Sequence, residues 1–321
     1  MPGTPAASAS RAGGTPAINV SVSVVVASFR DRRVLDACLG SLLPQCGADD
    51  VELIVARADS SAAVESLARD YPSVRVIPLS PGSSIPHLRG AGLAAATGRI
   101  AALTEDHCVA DGAWVATMRG YADRDVDVVG GGMDNARRRR ALDWGAFFAE
   151  YGFFSAVSPR PDPPAGTTLL LTGANVAYAR RALPNVIAWT IGGAWENVVH
   201  DRLRAGGASL VFDPAARVGQ NLTYSFRSFM ADRYRHGHDY ARVRLAESST
   251  ENRWVRIVAS LMLPPLLTYR VARTAVGSAR RAVEFTRALP FTMAFLAAWA
   301  AGEAVGYLRG PADIPHVTSA P

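Results

Sequence analysis

The chain has 321 residues, 49% apolar and 19% charged, enough to bury one large α/β core with an appendage and too apolar to be disordered throughout. All 34 basic residues are arginine, set against 28 acidic ones for a net charge of +6 and an isoelectric point near 9.6; a lysine nucleophile, a Schiff-base lysine and a P-loop lysine are therefore excluded. The three cysteines, Cys38, Cys46 and Cys108, follow no CxxC or zinc spacing and predict free thiols in a reducing compartment.

Residues 1–17 are Ala, Ser, Gly, Pro and Thr with a single arginine, and read as a disordered leader without the apolar stretch of a signal peptide. At Ile18 the character changes. INVSVSVVVASF is a β-branched run suited to a strand buried on both faces, and RDRRVLDACLGSLL sets Val34, Leu35, Cys38, Leu39 and Leu42 at helical spacing. The alternation continues with a strand over 51–55, a helix over 62–69, a strand over 74–78, a small-residue helix over 87–97 and a strand over 100–103. It predicts a parallel, doubly wound sheet with ligands at the carboxyl ends of its strands, and Glu105, Asp106 and His107 stand at such an end.

Further on, 125–133 predicts a strand running into a glycine turn, 167–183 a strand leading to a helix, 194–207 a helix stopped by Gly206 and Gly207, and 208–214 a final strand. From Ser225 the pattern is helical and arginine-rich, then apolar. The segment 257–269 has 13 uncharged residues broken by Pro264 and Pro265, short of the roughly 20 needed to span a bilayer. The segment 288–308 has 21 with Glu303 as its only charge, and five arginines lie between the two segments. Two crossings would carry that loop away from a cytoplasmic domain, against the positive-inside tendency. The expectation is one crossing by 288–308 with the first segment in the interface, at the cytoplasmic face of the membrane; two buried helices packed on the domain are the alternative. The division expected is 18–224 for the α/β domain, 225–253 for the arginine-rich helix, 254–309 for the apolar helices and 310–321 for a tail.

Glu105 and His107 flank Asp106, so on an extended strand end they point to one side and Asp106 to the other. Together they supply two ligands for Mg²⁺ or Mn²⁺, an ion that neutralises a diphosphate leaving group. An acidic turn with a solvated histidine is the alternative reading.

The segments SVVVASFRD, VELIVARADSS, LRGAGLAAATGRIAALTEDH, TGANVAYARRAL and WENVVHDRLRAGG, in this order and spacing, resemble the family 2 glycosyltransferases of the GT-A fold. The resemblance implies an α/β, Rossmann-like mixed sheet and transfer of a sugar from a nucleotide-diphospho-sugar donor, usually with inversion. Ala27, Ser28 and Phe29 match the start of the donor site. The family's acidic pair after the second strand falls on Arg57 and Ala58, a departure, since the first acid normally holds the nucleotide base or ribose. Arg89 matches the arginine of the family's Arg-Asn-x-Gly signature, with Gly90 in place of the Asn, and Gly92, Ala96 and Gly98 match. The Asp-x-Asp metal motif falls on Glu105-Asp106-His107, which implies Glu105 and His107 as metal ligands and Asp106 at the donor. On the acceptor side stand Gly173, Asn175 and Trp195. The family's Glu-Asp pair at a helix start becomes Glu196-Asn197, so Glu196 is the implied base that takes the acceptor hydroxyl proton; the alternative is an acid that merely complements the helix dipole.

Asp201 reads as a solvated partner of Arg204, and His236 and His238 as interfacial residues without a third ligand. Arg233 and Arg235 suit either a diphosphate or a lipid phosphate. The arginines at 137–140 read as a solvated loop, then as a phospholipid contact. After Gln220 the processive-synthase pattern Gln-x-x-Arg-Trp is absent, favouring single-sugar addition. The expected partners are a nucleotide-diphospho-sugar, a lipid-linked or envelope glycan acceptor and the membrane, without nucleic acid; a catalytically silent GT-A scaffold is the competing function.

Overall fold

The first strand, β1 (Val22–Ser28), is buried along its whole length. Val22, Val24 and Val26 enter one apolar core and Val25 the other, which is why the run is apolar rather than alternating. α1 (Arg32–Leu42) covers the first face with Leu35, Cys38, Leu39 and Leu42. β2 (Val51–Ala58), α2 (Ser61–Asp70), β3 (Arg75–Leu79), α3 (Ile85–Ala95) and β4 (Ile100–Glu105) follow, the side chains of Ser60 and Ser84 capping the two helices. These four strands are parallel in the order β3-β2-β1-β4. In this computed structural model residues 20–154, 168, 171–247, 252–275 and 278–311 are described; the expected leader and nearly all of the expected tail lie outside them.

The remaining elements of the α/β part are β5 (Cys108–Ala110), α4 (Trp114–Arg119), β6 (Val128–Asn135), α5 (Ala141–Tyr151), β7 (Asn175–Ala179), α6 (Leu183–Ile191), α7 (Glu196–Ala205) and β8 (Leu210–Gln220). They complete an eight-stranded sheet in the order β3-β2-β1-β4-β7-β6-β8-β5. Strand β7 runs antiparallel to both β4 and β6, so the sheet is mixed, in line with the family resemblance and not with the wholly parallel sheet that alternation predicts. A strand buried on both faces has the same apolar signature in either direction, so its sense leaves no local trace. The expected glycine turn is also absent: Gly130, Gly131 and Gly132 stay within β6. A Cβ on Gly131 would lie 1.6 Å from the Ala216 carbonyl oxygen, so glycine there admits the neighbouring β8, and a bulge follows at once between Gly131 and Gly132.

Three more helices follow among the described residues: α8 (Phe226–Glu247), α9 (Arg253–Ala275) and α10 (Ala279–Arg309). Both α9 and α10 are long and apolar enough to cross a membrane, but 44% of the most apolar stretch of α10 is buried within the protein against 11% for α9. α10 packs along α8, α9 and α5, crossing α8 so closely that a Cβ on Gly302 would lie 1.9 Å from the Tyr234 carbonyl oxygen. Glu303, the one charge of 288–308, accepts hydrogen bonds from Trp299 Nε1 at 3.0 Å and the Tyr307 hydroxyl at 3.1 Å. The segment chosen by length for a lone crossing thus has a protein partner, and that partner carries Arg227, Asp232, Arg233, Arg235, Asp239 and Arg242. On α9, by contrast, Trp254, Val255, Val258, Leu261, Met262, Leu266 and Tyr269 are all exposed.

Candidate active site

The parallel register pairs Ala27 with Glu105 and Ser28 with Arg57, so β1, β2 and β4 end at one edge of the sheet. There the chain after β4 turns sharply, and Asp106 points back beneath β1. Its Oδ2 accepts hydrogen bonds from Ser28 Oγ at 3.1 Å and from the backbone N–H groups of Phe29 and Arg30 at 2.8 Å each. Ser28 Oγ in turn accepts from Arg57 Nη1 at 2.8 Å, and the same guanidinium donates to the Arg30 carbonyl at 2.6 Å and to Asp59 Oδ2 at 2.5 Å. Arg57, standing where the family carries an acid, is a buried clamp on the loop after β1. Asp59, which sequence reasoning passed over, supplies a carboxylate two positions later, held below the usual range by the Ser60 backbone N–H and Arg57. Its only sequence signal is the displaced acid in ARADSS.

Arg89 on α3 is the centre of the constellation. Its Nη2 donates to Glu105 Oε1 at 2.5 Å and its Nη1 to Glu196 Oε2 at 2.6 Å, and the guanidinium lies 5.8 Å from the centre of the Trp195 ring. Glu196 opens α7, and Trp195 precedes it. Burial favours protonation of both carboxyls, and Arg89 outweighs it, holding both below the ordinary carboxylate range. A Cβ on Gly173 would fall 2.4 Å from Arg89 Nη1; Gly173 therefore makes room for the guanidinium. Gly90, the family's Asn position, packs on α6, where a Cβ would meet Ile191 Cγ1 at 2.7 Å.

His107 is buried beside this cluster. Its Nε2 lies 3.1 Å from the Tyr151 hydroxyl, and its Nδ1, 3.3 Å from Glu105 Oε2, is buried without a hydrogen-bond partner. Burial opposes a charged ring, but the adjoining Cys108 and Glu105 side chains outweigh it and raise the ring to about 9. Among the described residues no three His, Cys, Asp or Glu side chains converge to encase a metal ion. Two donor atoms 3.3 Å apart nevertheless fit adjacent positions around a hard ion bound at about 2.1 Å, the others being left to water and ligand oxygens. Glu105 and His107 thus fit a divalent ion once Nδ1 has lost its proton.

Asn175 is expected on the acceptor side. It is fully buried, donating from Nδ2 to the Gly132 and Ala216 carbonyls at 3.1 and 2.8 Å and accepting from Trp114 Nε1 at 2.8 Å. These bonds pin β7 into the sheet. Asp201 pairs with Arg204 on the surface, and His238 with Asp239. The His236 ring lies 6.3 Å from that of Trp195, so α8 reaches the rim of the site. Tyr151, Arg30 and Tyr224 also border it, without a motif to announce them.

Residues 23–184, just over half of the chain, match the family described as glycosyl transferase family 2. The chain is a family 2 glycosyltransferase. This glycosyltransferase is similar in fold to the mannosyltransferase PcManGT from Pyrobaculum calidifontis, solved in complex with GDP-Man and Mn²⁺. The TM-score is 0.52 at 17% identity, over 88% of this chain and 86% of that one. Also similar are GalNAc-T7, solved with UDP, GalNAc and Mn²⁺ (15% identity, 64% and 44% of the two chains, TM-score 0.47), and S. aureus TarS 1–349 (13%, 90% and 89%, 0.45). No curated protein sequence matches the glycosyltransferase.

Proposed function

We propose that this glycosyltransferase moves a single sugar from a nucleotide-diphospho-sugar to a hydroxyl of a lipid-linked or cell-envelope acceptor, with inversion. The observation that carries this reading is the guanidinium of Arg89, which ties Glu105 on the expected donor side to Glu196 on the expected acceptor side. Glu196 is ionised, the form a general base needs. It takes the proton from the acceptor hydroxyl as that oxygen attacks the anomeric carbon, and the bond from that carbon to the diphosphate breaks on the opposite face. Ala27, Ser28 and Phe29, held by Asp106 and Arg57, form the donor edge, and Trp195 with Gly173 borders the acceptor. Glu105 and His107 would hold Mg²⁺ or Mn²⁺, which when bound supplies positive charge to the departing diphosphate. The fold is one in which PcManGT was solved with GDP-Man and Mn²⁺.

Lipid contact falls to α9. Its exposed apolar stripe, from Trp254 to Tyr269, is accompanied by four arginines and no acid along the helix, the composition of a helix lying in an anionic membrane surface. This composition supports a place at the cytoplasmic face, beside lipid-linked acceptors.

A panel of nucleoside diphosphates and nucleotide sugars, each with and without Mn²⁺, tests the donor reading through thermal stability. A ligand at a hundred times its Kd stabilises the fold by roughly 2.7 kcal/mol. With the donor so identified, Glu196→Gln is expected to cut turnover by about 10²–10⁴ while donor affinity holds. Full turnover in that variant removes Glu196 as the base.

A further inference from the structure

Arg233 on α8 is only 7% exposed, yet it makes no hydrogen bond or ion pair with any described residue, and its Nε is buried without a partner. Its guanidinium lies over the Trp299 ring of α10, 4.4 Å from the ring centre. Two residues on, Arg235 shows the ordinary arrangement, 65% exposed and 2.8 Å from Asp232. A guanidinium taken out of water without a contacting counter-ion is strongly unfavourable, and burial accordingly lowers the Arg233 pKa against the pull of Glu150, Tyr151 and Tyr224. Three residues on along α8 the His236 ring lies 6.3 Å from that of Trp195, and Glu150, Tyr151 and Tyr224 line the His107 edge of the same site. The Tyr151 hydroxyl contacts His107, and Gln220 Nε2 donates both to Glu150 at 3.2 Å and to the Tyr224 hydroxyl at 2.8 Å. Arg30, entering from the end of β1 with its side chain 36% exposed and its Nε 4.0 Å from Asp106 Oδ1, feels the same Glu150 and Tyr224 together with Asp106. The guanidinium groups of Arg233, from α8, and Arg30, from the end of β1, are thus both within the electrostatic reach of Glu150 at the His107 edge of the site.

We propose that Arg233 and Arg30 form an oxyanion subsite that takes a phosphate or diphosphate group of a substrate. The planar fork of arginine suits phosphate oxygens. The Trp299 ring sets the plane of the Arg233 fork, which makes α10 part of the wall of the site. Tyr224, whose phenol burial keeps protonated, adds a hydroxyl donor. The phosphate belongs either to the nucleoside diphosphate of the donor or to a lipid-linked acceptor; only that ownership rests on the glycosyl-transfer reading.

The test uses the full chain in detergent with EDTA and inorganic pyrophosphate as the probe, comparing wild type, Arg233→Met, Arg233→Lys and the surface control Arg235→Met. Arg233→Met is expected to melt at or above the wild-type temperature when ligand-free, because an uncompensated buried charge has gone, and to bind pyrophosphate about tenfold or more weakly. Arg235→Met should bind as wild type does. If Arg233→Met does not fold, Arg233→Lys, which keeps the charge and loses the fork, carries the same affinity comparison. Nucleoside diphosphates, and phosphatidylcholine vesicles with polyprenyl phosphate, assign the owner: the probe whose affinity falls in the variant carries the bound group. Equal affinity of wild type and variant for all three probes overturns the proposal. Arg233-dependent pyrophosphate binding in a protein that transfers no sugar keeps the subsite and rejects the transferase mechanism instead.

Discussion

Arg89 and Glu196, 107 residues apart in the chain, are joined by a 2.6 Å hydrogen bond from Nη1 to Oε2, and the other arm of the same guanidinium holds Glu105. One cation thus serves two carboxylates and is the main charge that holds both below the ordinary carboxylate range.

Replacing that cation has two separable consequences. Arg89→Ala leaves Glu105 buried and Glu196 partly buried without a counter-ion, a loss expected to destabilise the protein by about 3–5 kcal/mol in denaturant titration. Where the variant remains folded, the Glu196 carboxyl rises toward and beyond its ordinary range, so the acidic limb of the kcat/KM profile moves to higher pH. An unshifted limb would mean that Glu196 is not the titrating base.

The fit of a divalent ion to Glu105 and His107 rests on two donor atoms. His107→Ala removes one of them, and Mn²⁺ affinity, read from the free-ion EPR signal, is expected to drop about tenfold or more. Undiminished affinity would locate the ion on other residues.

His200, one turn after Glu196 on α7, is buried with its Nε2 2.9 Å from the Tyr178 hydroxyl. Burial, aided by Arg89 and opposed by Glu196, lowers the ring to about 4 from the ordinary 6.5. Above pH 6.5 the ring is neutral folded and unfolded, and this contribution to stability is fully present. As pH falls from 6.5 to 4 the unfolded chain binds a proton that the folded one refuses, so about 3 kcal/mol is lost, levelling off below 4. Urea titrations across this window should show the slope, and His200→Gln should flatten it.

Membrane contact through α9 is tested on residues whose exposure keeps the fold out of the result. Val258→Glu with Leu261→Glu, at sites 65% and 70% exposed, is expected to lower partitioning onto phosphatidylglycerol-containing vesicles about a hundredfold or more. Met293→Glu, at an exposed site on α10, should leave it unchanged. The reverse result would return lipid contact to 288–308.

Much of the fold and of the site is legible in the sequence. Two-face-buried strands and amphipathic helices carry their period locally, so β1 to β4 and the helices between them can be read directly, and four of the five ordered segments that resemble the family fall within the matched residues 23–184. The candidate acids Glu105 and Glu196 were likewise named from motif position. The sense of β7, the persistence of β6 through its glycines and the structural burial of Asn175 were not legible, because each depends on what a distant segment presses against the residue.

Sequence by itself determined the element types, the family and the candidate chemistry, since these reside in residue identity and short-range period. Tertiary structure alone decided the partners. It joined Arg89 to two acids from different elements, turned Arg57 inward as a clamp, left Arg233 buried without a contacting counter-ion, and covered more of α10 than of α9. The physical reason is that the charge balance of a buried group is set by whatever lies within a few ångströms of it, and in this protein those neighbours come from segments remote in the chain.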